Sequence, residues 1–354
     1  GLAVEKLEKD WVKYPILHLD LNIEKYDTPD SLDNILDKSL TAWEKLYGAE
    51  PSERSFSLRF AGIIERACKQ AGQRVVILVD EYDKPMLQAI GNEELQRQFR
   101  NALKPFYGAL KTMDGCIKFA FLTGVTKFGK VSVFSDLNNL DDISMRKDYV
   151  ELCGVSDREL HDTLDAELHE FADVRGVTYD KLCAELKECY DGYHFTHNSI
   201  GMYNPFSLLN AFKYKEFGSY WFETGTPTYL VSLLKKHHYD LERMAHEETD
   251  AQVLNSIDSE STNPIPVIYQ SGYLTIKGYD EEFGIYRLGF PNREVEEGFV
   301  RFMLPYYANV NKVESPFEIQ KFVREVRSGD YDSFFRRLQS FFADTTYEVI
   351  RDQE

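Results

Sequence analysis

The stretch that most constrains how this chain folds is Arg74–Asp83, RVVILVDEYD. Five apolar residues, Val75 to Val79, run without a break and stop at two adjacent carboxylates, Asp80 and Glu81. Such a run predicts a parallel strand buried on both faces, because a strand with one wet face alternates. Carboxylates at the carboxyl end of a parallel strand stand at the crevice where open α/β sheets take their ligands. An apolar run ending in Asp-Glu is also the Walker B pattern. There the first carboxylate holds Mg²⁺, commonly through water, and the second polarises the water that attacks a γ-phosphate. On this reading Asp80 is the Mg²⁺ and ATP contact and Glu81 is catalytic. The plainer alternative is a buried strand ending in a solvated acidic turn, since an apolar run closed by one Asp is common.

The flanking sequence favours a parallel sheet. Tyr14–Leu21 is strand-like, helical periodicity covers about Asp30–Tyr47 and Ser55–Ala71, and Gly72 stops the second helix just before the central strand. Asp83-Lys84-Pro85 predicts a further helix with an acidic cap and Pro in its first turn. Glu93–Met113 follows as a long amphipathic helix, and Ile117–Leu122 as the next apolar strand. A helix between two apolar strands is the βαβ signature. Thr123, directly after that strand, occupies the place of a polar residue that senses the γ-phosphate or the attacking water, and Thr126 and Lys127, the latter read as a nucleotide contact, follow close behind. An ordinary strand-to-loop turn capped by Thr accounts for the same residues.

One near-match is set aside. Gly124-VTKF-Gly129-Lys130 resembles the phosphate-cradling GxxxxGK[ST] loop, but Val131 stands where the Mg²⁺-binding hydroxyl belongs. The stretch also follows the Walker B-like strand instead of preceding it, and Val131–Phe134 suits extended chain better than a helix start. No other stretch of the sequence fits a Walker A loop.

With 354 residues, 43% hydrophobic and 14% aromatic, the chain is long enough for two cores and is not compositionally disordered. Its 59 acidic and 41 basic residues leave a net charge of −18, which disfavours a broad electrostatic grip on nucleic acid. Five scattered cysteines without a CxxC pair suggest reduced thiols in a cytoplasmic chain. No apolar run is long enough to cross a bilayer.

From Ser156 the pattern turns helical, with Ser156 and Glu159 spaced as a capping box. A short hairpin is expected across Asp191–Phe195 and Ile200–Asn204, helices over Pro205–Phe212 and Pro227–Lys236, and an exposed loop over His246–Asn263. GYLTIKGYDEEFGIYRLGF then predicts two strands around an Asp280-Glu281-Glu282 turn. A helix followed by such a ribbon is how a winged helix reads. Amphipathic helices over Glu294–Tyr307, Pro316–Arg327 and Asp332–Asp344 close the chain. Other constellations favour plain structure. His194 and His197 fall in the hairpin without a carboxylate at ligand spacing. Glu185-Leu-Lys187 has nuclease-like local spacing but lies in a helix, and Arg146 and Lys147 suit a solvated turn.

Several stretches together resemble one family. They are HLDLN (18–22), VILVDEYDKP (76–85), FLTGVTKFGKVSVFSDLNNLDDISM (121–145), YDGYHF (190–195), YNPFSLLNAF (203–212), YWFETGTPTYLV (220–231), QSGYLTIKGY (270–279) and LGFPNREV (288–295). The chain resembles the bacterial AAA-ATPase-like family, whose members join a P-loop ATPase core to a helical and winged-helix region and a C-terminal PD-(D/E)XK nuclease-like domain. The resemblance implies an internal fragment that lacks both the P-loop and the nuclease-like domain. The expected fold is α/β: a partial P-loop ATPase parallel sheet with helices (1–155), a mostly helical region with a winged-helix-like unit (156–311), and C-terminal helices (312–354). It implies Asp80, Glu81, Thr123 and Lys127 as site residues, with ATP and Mg²⁺ handled by the intact parent and weakly or not at all here. Self-association is a possible partner mode, and nucleic acid would be reached through the absent domain. The alternative is a nucleotide-independent protein- or DNA-binding scaffold for an attached nuclease-like domain.

Overall fold

The computed structural model describes residues 4–126, 134, 137, 139–224, 234, 247–254, 263–307 and 315–343. The chain divides into two units, Gly1–Asp142 with Asp250–Ser271, and Ile143–Thr249 with Gly272–Glu354. The stretches Lys127 to Val133 and most of Pro227–Lys236 lie outside the described residues.

The first unit begins with a short helix, α1 (Val4–Leu7), and is built on three parallel strands: β1 (Ile16–Asp20), β2 (Val75–Asp80) and β3 (Ile117–Leu122). They lie in the order β1-β2-β3, so the Walker B-like strand is central. The intervening chain forms α2 (Asp30–Tyr47), α3 (Phe56–Ala71), α4 (Lys84–Gln88) and α5 (Glu93–Thr112). Helix α2 buries Leu32, Ile35, Leu36, Leu40 and Trp43, a spacing that places them on one helical stripe. Ser55 caps α3 by accepting from the Leu58 amide at 3.3 Å, and Asn92 caps α5 by accepting from Leu95 at 3.1 Å. Gly72 ends α3 in the left-handed conformation, which turns the chain directly into β2. The rings of Trp43, Phe60 and Phe106 stack in series at 5.8 and 4.5 Å, joining the three long helices through their apolar faces. Arg59 ties α3 to α2, donating to Glu44 at 2.7 Å and to Asp37 at 2.6 Å.

Equal burial on both faces of β2 is not what the structure shows. Val75, Ile77 and Val79 are buried, whereas Val76 and Leu78 are only half-buried. Across the sheet, Ile16 and Phe119 flank Val76 in register and are 56% and 54% exposed. The unbroken apolar run concealed this because exposed apolar side chains are ordinary at protein surfaces. The period-2 alternation is therefore present in burial and absent from residue type.

In the second unit, Val155–Ser156 pairs antiparallel with Met202–Tyr203. Helices Asp157–Arg175, Tyr179–Tyr190 and Pro205–Tyr214 bury Leu160, Leu168, Phe171, Leu182, Leu186 and Leu208 in a common core. The capping box forms in both directions: Ser156 Oγ accepts from the Glu159 amide, and the Glu159 carboxylate accepts from the Ser156 amide at 3.0 Å. The turn after Tyr190 depends on Gly192. Its φ is +102°, and a Cβ there would fall 2.3 Å from the Pro291 carbonyl oxygen. Tyr193 and Met202 then bridge antiparallel, the hairpin contact expected in this stretch. Thr275–Asp280 and Ile285–Gly289 form the expected antiparallel ribbon, with Asp280 capping the tip by accepting from the Glu282 and Phe283 amides. The polar stretch read as a loop before Asn263 includes a strand, Glu248–Asp250, and a short helix, Ala251–Leu254.

Candidate functional site

The site is set by strand register. Asp20 pairs with Asp80 across β1 and β2, and Val79 pairs with Leu122 across β2 and β3, so the three carboxyl ends finish side by side. The β2–β3 ladder continues beyond the strands: Thr123 donates its amide to the Val79 carbonyl, and Tyr82 donates its amide to the Thr123 carbonyl, both at 2.9 Å. This places Thr123 beside Asp80, and its hydroxyl donates to Asp80 Oδ1 at 2.5 Å. Two residues 43 apart in sequence, singled out separately, thus meet in one hydrogen bond.

Glu81 follows in left-handed backbone at φ +55°, unusual for a residue with a side chain. Burial is the main influence raising its carboxyl pKa, reinforced by the negative charges of Asp83 and Asp80; Lys84 opposes them. The structure therefore brings Asp80, Glu81 and Thr123 together at one edge, while Lys127 lies outside the described residues.

Sequence reasoning missed the residues that hold this edge in place. Asp83 was expected to cap α4, yet its side chain makes no cap bond. It is 1% exposed and turned toward the segment after β3. Asp83 Oδ1 accepts from the Val125 amide at 3.2 Å, and Oδ2 accepts from both the amide and the hydroxyl of Thr126 at 2.5 Å. Burial raises the Asp83 pKa, and these bonds from Thr126 and Val125 pull against it. Tyr82 adds a bond from its hydroxyl to the Thr126 carbonyl at 2.8 Å. On the other flank, Lys84 Nζ donates to the backbone and side-chain oxygens of Asn22, each at 2.6 Å, and the Asn22 amide donates to Asp20 at 2.7 Å. The signals available were Gly124 directly after a strand and a second Asp three places beyond Asp80.

The donors at this edge are oxygens, as Mg²⁺ requires. Mg²⁺ keeps several waters and takes only one or two carboxylates beside substrate phosphates, so a single Asp80 suits it. Among the described residues no group of three or more His, Cys, Asp or Glu is arranged to hold a metal by protein ligands alone. Elsewhere, His194 Nδ1 lies 2.9 Å from the Ser199 carbonyl and His197 stacks on Tyr279. Glu185 pairs with Arg175 at 3.2 Å, and Arg146 lies 3.7 Å from Asp148. All five cysteines are unbridged. Among the described residues no helix is long and apolar enough to cross a membrane.

Comparison with known proteins finds a partial family match and one similar protein. Residues 1–134, which include β1, β2 and β3, match the AAA-ATPase-like family model, described as a predicted AAA-ATPase. At the level of individual proteins, the chain is similar to an Azotobacter chroococcum mcd 1 protein, "Uncharacterized protein in vnfD 5'region", with 35% identity over 302 residues. That alignment takes in 84% of this chain and 56% of the relative, so the chain spans little more than half the relative's length. No solved structure matches.

Proposed function

We propose that Asp80, Glu81 and Thr123 form the catalytic edge of an ATP-hydrolysing module, and that the phosphate-cradling loop completing it lies in a longer protein of which this chain is a part. The observation that carries this reading is the Thr123 hydroxyl on Asp80 at the carboxyl edge of parallel strands, with Glu81 alongside. The family match over this unit and the greater length of the relative support it. Asp80 would hold Mg²⁺ through water, and Mg²⁺ when bound would neutralise charge on the phosphates. Glu81 orients the attacking water and accepts its proton, and Thr123 fixes the Asp80 carboxylate through its hydroxyl. Lys127, the residue directly after the pinned Thr126, is assigned to the phosphates. The ribbon Thr275–Gly289 is read as a winged-helix-like unit for protein contact, because its Asp280-Glu281-Glu282 tip repels a phosphate backbone.

The test is Mg·ATP binding and hydrolysis by the protein extended upstream, beside its Glu81→Gln variant and this chain alone. Turnover is expected in the extended protein. Glu81→Gln should lower it by about 10²–10⁴-fold, the usual worth of a positioned base, with ATP still bound. A base works only when ionised, and Glu81 holds its proton to higher pH than an ordinary Glu. The wild-type rate should therefore fall with decreasing pH before an unperturbed Glu would protonate. Absence of nucleotide binding in all three proteins would replace this reading with the nucleotide-independent scaffold.

A further inference from the structure

We propose that Asp83 is a positioning residue: its buried carboxylate holds down the segment Thr123–Thr126 and thereby keeps the Thr123 hydroxyl on Asp80. This rests on the ATPase reading for its consequence in turnover, but its geometry stands apart from that reading. The segment is gripped at both kinds of backbone group. Its donors, the Val125 and Thr126 amides and the Thr126 hydroxyl, go to Asp83. Its acceptors, the carbonyls of Thr123 and Thr126, take bonds from the Tyr82 amide and hydroxyl. Hydrogen bonds to an ionised, buried acceptor are stronger than neutral ones, and the two that Asp83 accepts from Thr126 are buried away from competing water.

Two further observations point the same way. Asp83 stands at a helix start, where an Asp ordinarily caps, and its carboxylate is directed instead across to a different strand end. Gly124 lies so close that a Cβ would come within 2.3 Å of Asp83 Oδ1 and 2.9 Å of the Tyr82 ring. Only a residue without a side chain lets the two loops approach to this distance. The first residue of the gripped segment is the one whose hydroxyl meets Asp80, so slack in the segment becomes error in the Thr123 position. Misplacement of a catalytic group by about 1 Å is enough to reduce a rate 100-fold.

The experiment uses the longer protein that contains this chain, as wild type and as Asp83→Asn, Thr126→Val, Thr126→Ser, Thr123→Val and Asp83→Asn/Thr123→Val. Asn keeps the volume of Asp but turns an NH₂ toward donors that need an acceptor. In Asp83→Asn, hydrogen exchange at Val125 and Thr126 should rise by at least about tenfold, and the Thr123 side chain should lose its single rotamer in methyl-resolved NMR. The kcat for ATP should fall by about 10–100-fold with KM changed less than about threefold. Thr126→Ser should recover what Thr126→Val loses. The double variant should be no slower than the worse single one, because both act through the same hydroxyl. Unchanged exchange and rotamer, an undiminished kcat in an active protein, or multiplying losses in the double variant would each overturn the proposal. If no form turns over ATP but the Thr123 rotamer still collapses in Asp83→Asn, the positioning role stands and the ATPase reading is the one that fails.

Discussion

Glu81 combines two unfavourable features at one position: a left-handed backbone and a carboxylate raised in pKa by burial and by the neighbouring charges of Asp83 and Asp80. Left-handed backbone costs a residue with a Cβ about 1–2 kcal/mol, and strain of this kind persists only where its surroundings enforce it. Here the enforcement is visible, since the Tyr82 amide immediately after Glu81 is committed to the Thr123 carbonyl. Replacing Glu81 with Gly and with Ala separates the backbone from the charge. Both remove the carboxylate and should abolish turnover, but Gly should leave the protein more stable than Ala by about 1 kcal/mol in urea unfolding. Equal stability would mean that the strain is relieved elsewhere. Glu81→Gln should raise the melting temperature above the folded-state pKa, where the wild-type residue must be charged in a half-buried site. That advantage should shrink as pH falls through the same pKa, because the wild-type carboxyl then also becomes neutral.

At the scale of elements, local signals were the legible ones. The capping box at Ser156, the stop at Gly72 and the helical periodicity of α2, α3 and α5 are written within a few residues of where they act, whereas the caps at Ser55 and Asn92 emerged only in the structure. Ser156→Ala removes one half of the capping box and should cost about 1 kcal/mol, measured as a shift in denaturation midpoint with unchanged slope. What escaped the sequence was long-range. Asp83 has the composition of a helix cap, and only the β2–β3 pairing, which brings Val125 and Thr126 opposite it, turns that carboxylate elsewhere. The half-wet face of β2 was hidden for a similar reason. Val76 and Leu78 look identical in character to Val75 and Ile77, and which row is covered depends on helix placement. The strand Glu248–Asp250 has three residues and no apolar alternation, so nothing in its composition marked it. At the candidate site, Asp80, Glu81 and Thr123 were legible because each ends or follows an apolar strand. Their mutual contact was not, since register decides it.

On the scale of the whole molecule, charge is the property that reaches furthest. A balance of −18 opposes approach to a polyanion, and screening at about 0.15 M salt limits what a local basic patch can recover. The chain by itself should therefore bind duplex DNA with a dissociation constant weaker than about 0.1 mM in fluorescence anisotropy at that salt, the weak end of non-specific binding. Micromolar binding that falls steeply with added salt would reveal a concentrated basic surface and shift weight to the scaffold reading.

The loop after β2 is anchored to its neighbours by consecutive residues of very different strength. Toward β3 the anchor is Asp83, with its carboxylate sealed from solvent and three donors directed at it. Toward β1 it is Lys84, an exposed ammonium on two oxygens of Asn22, where water competes freely. The edge is consequently stiff on one side and compliant on the other. A ligand that presses on these strand tips displaces the Asn22 side first, and the Asp80–Thr123 pair keeps its spacing while the β1 tip gives way.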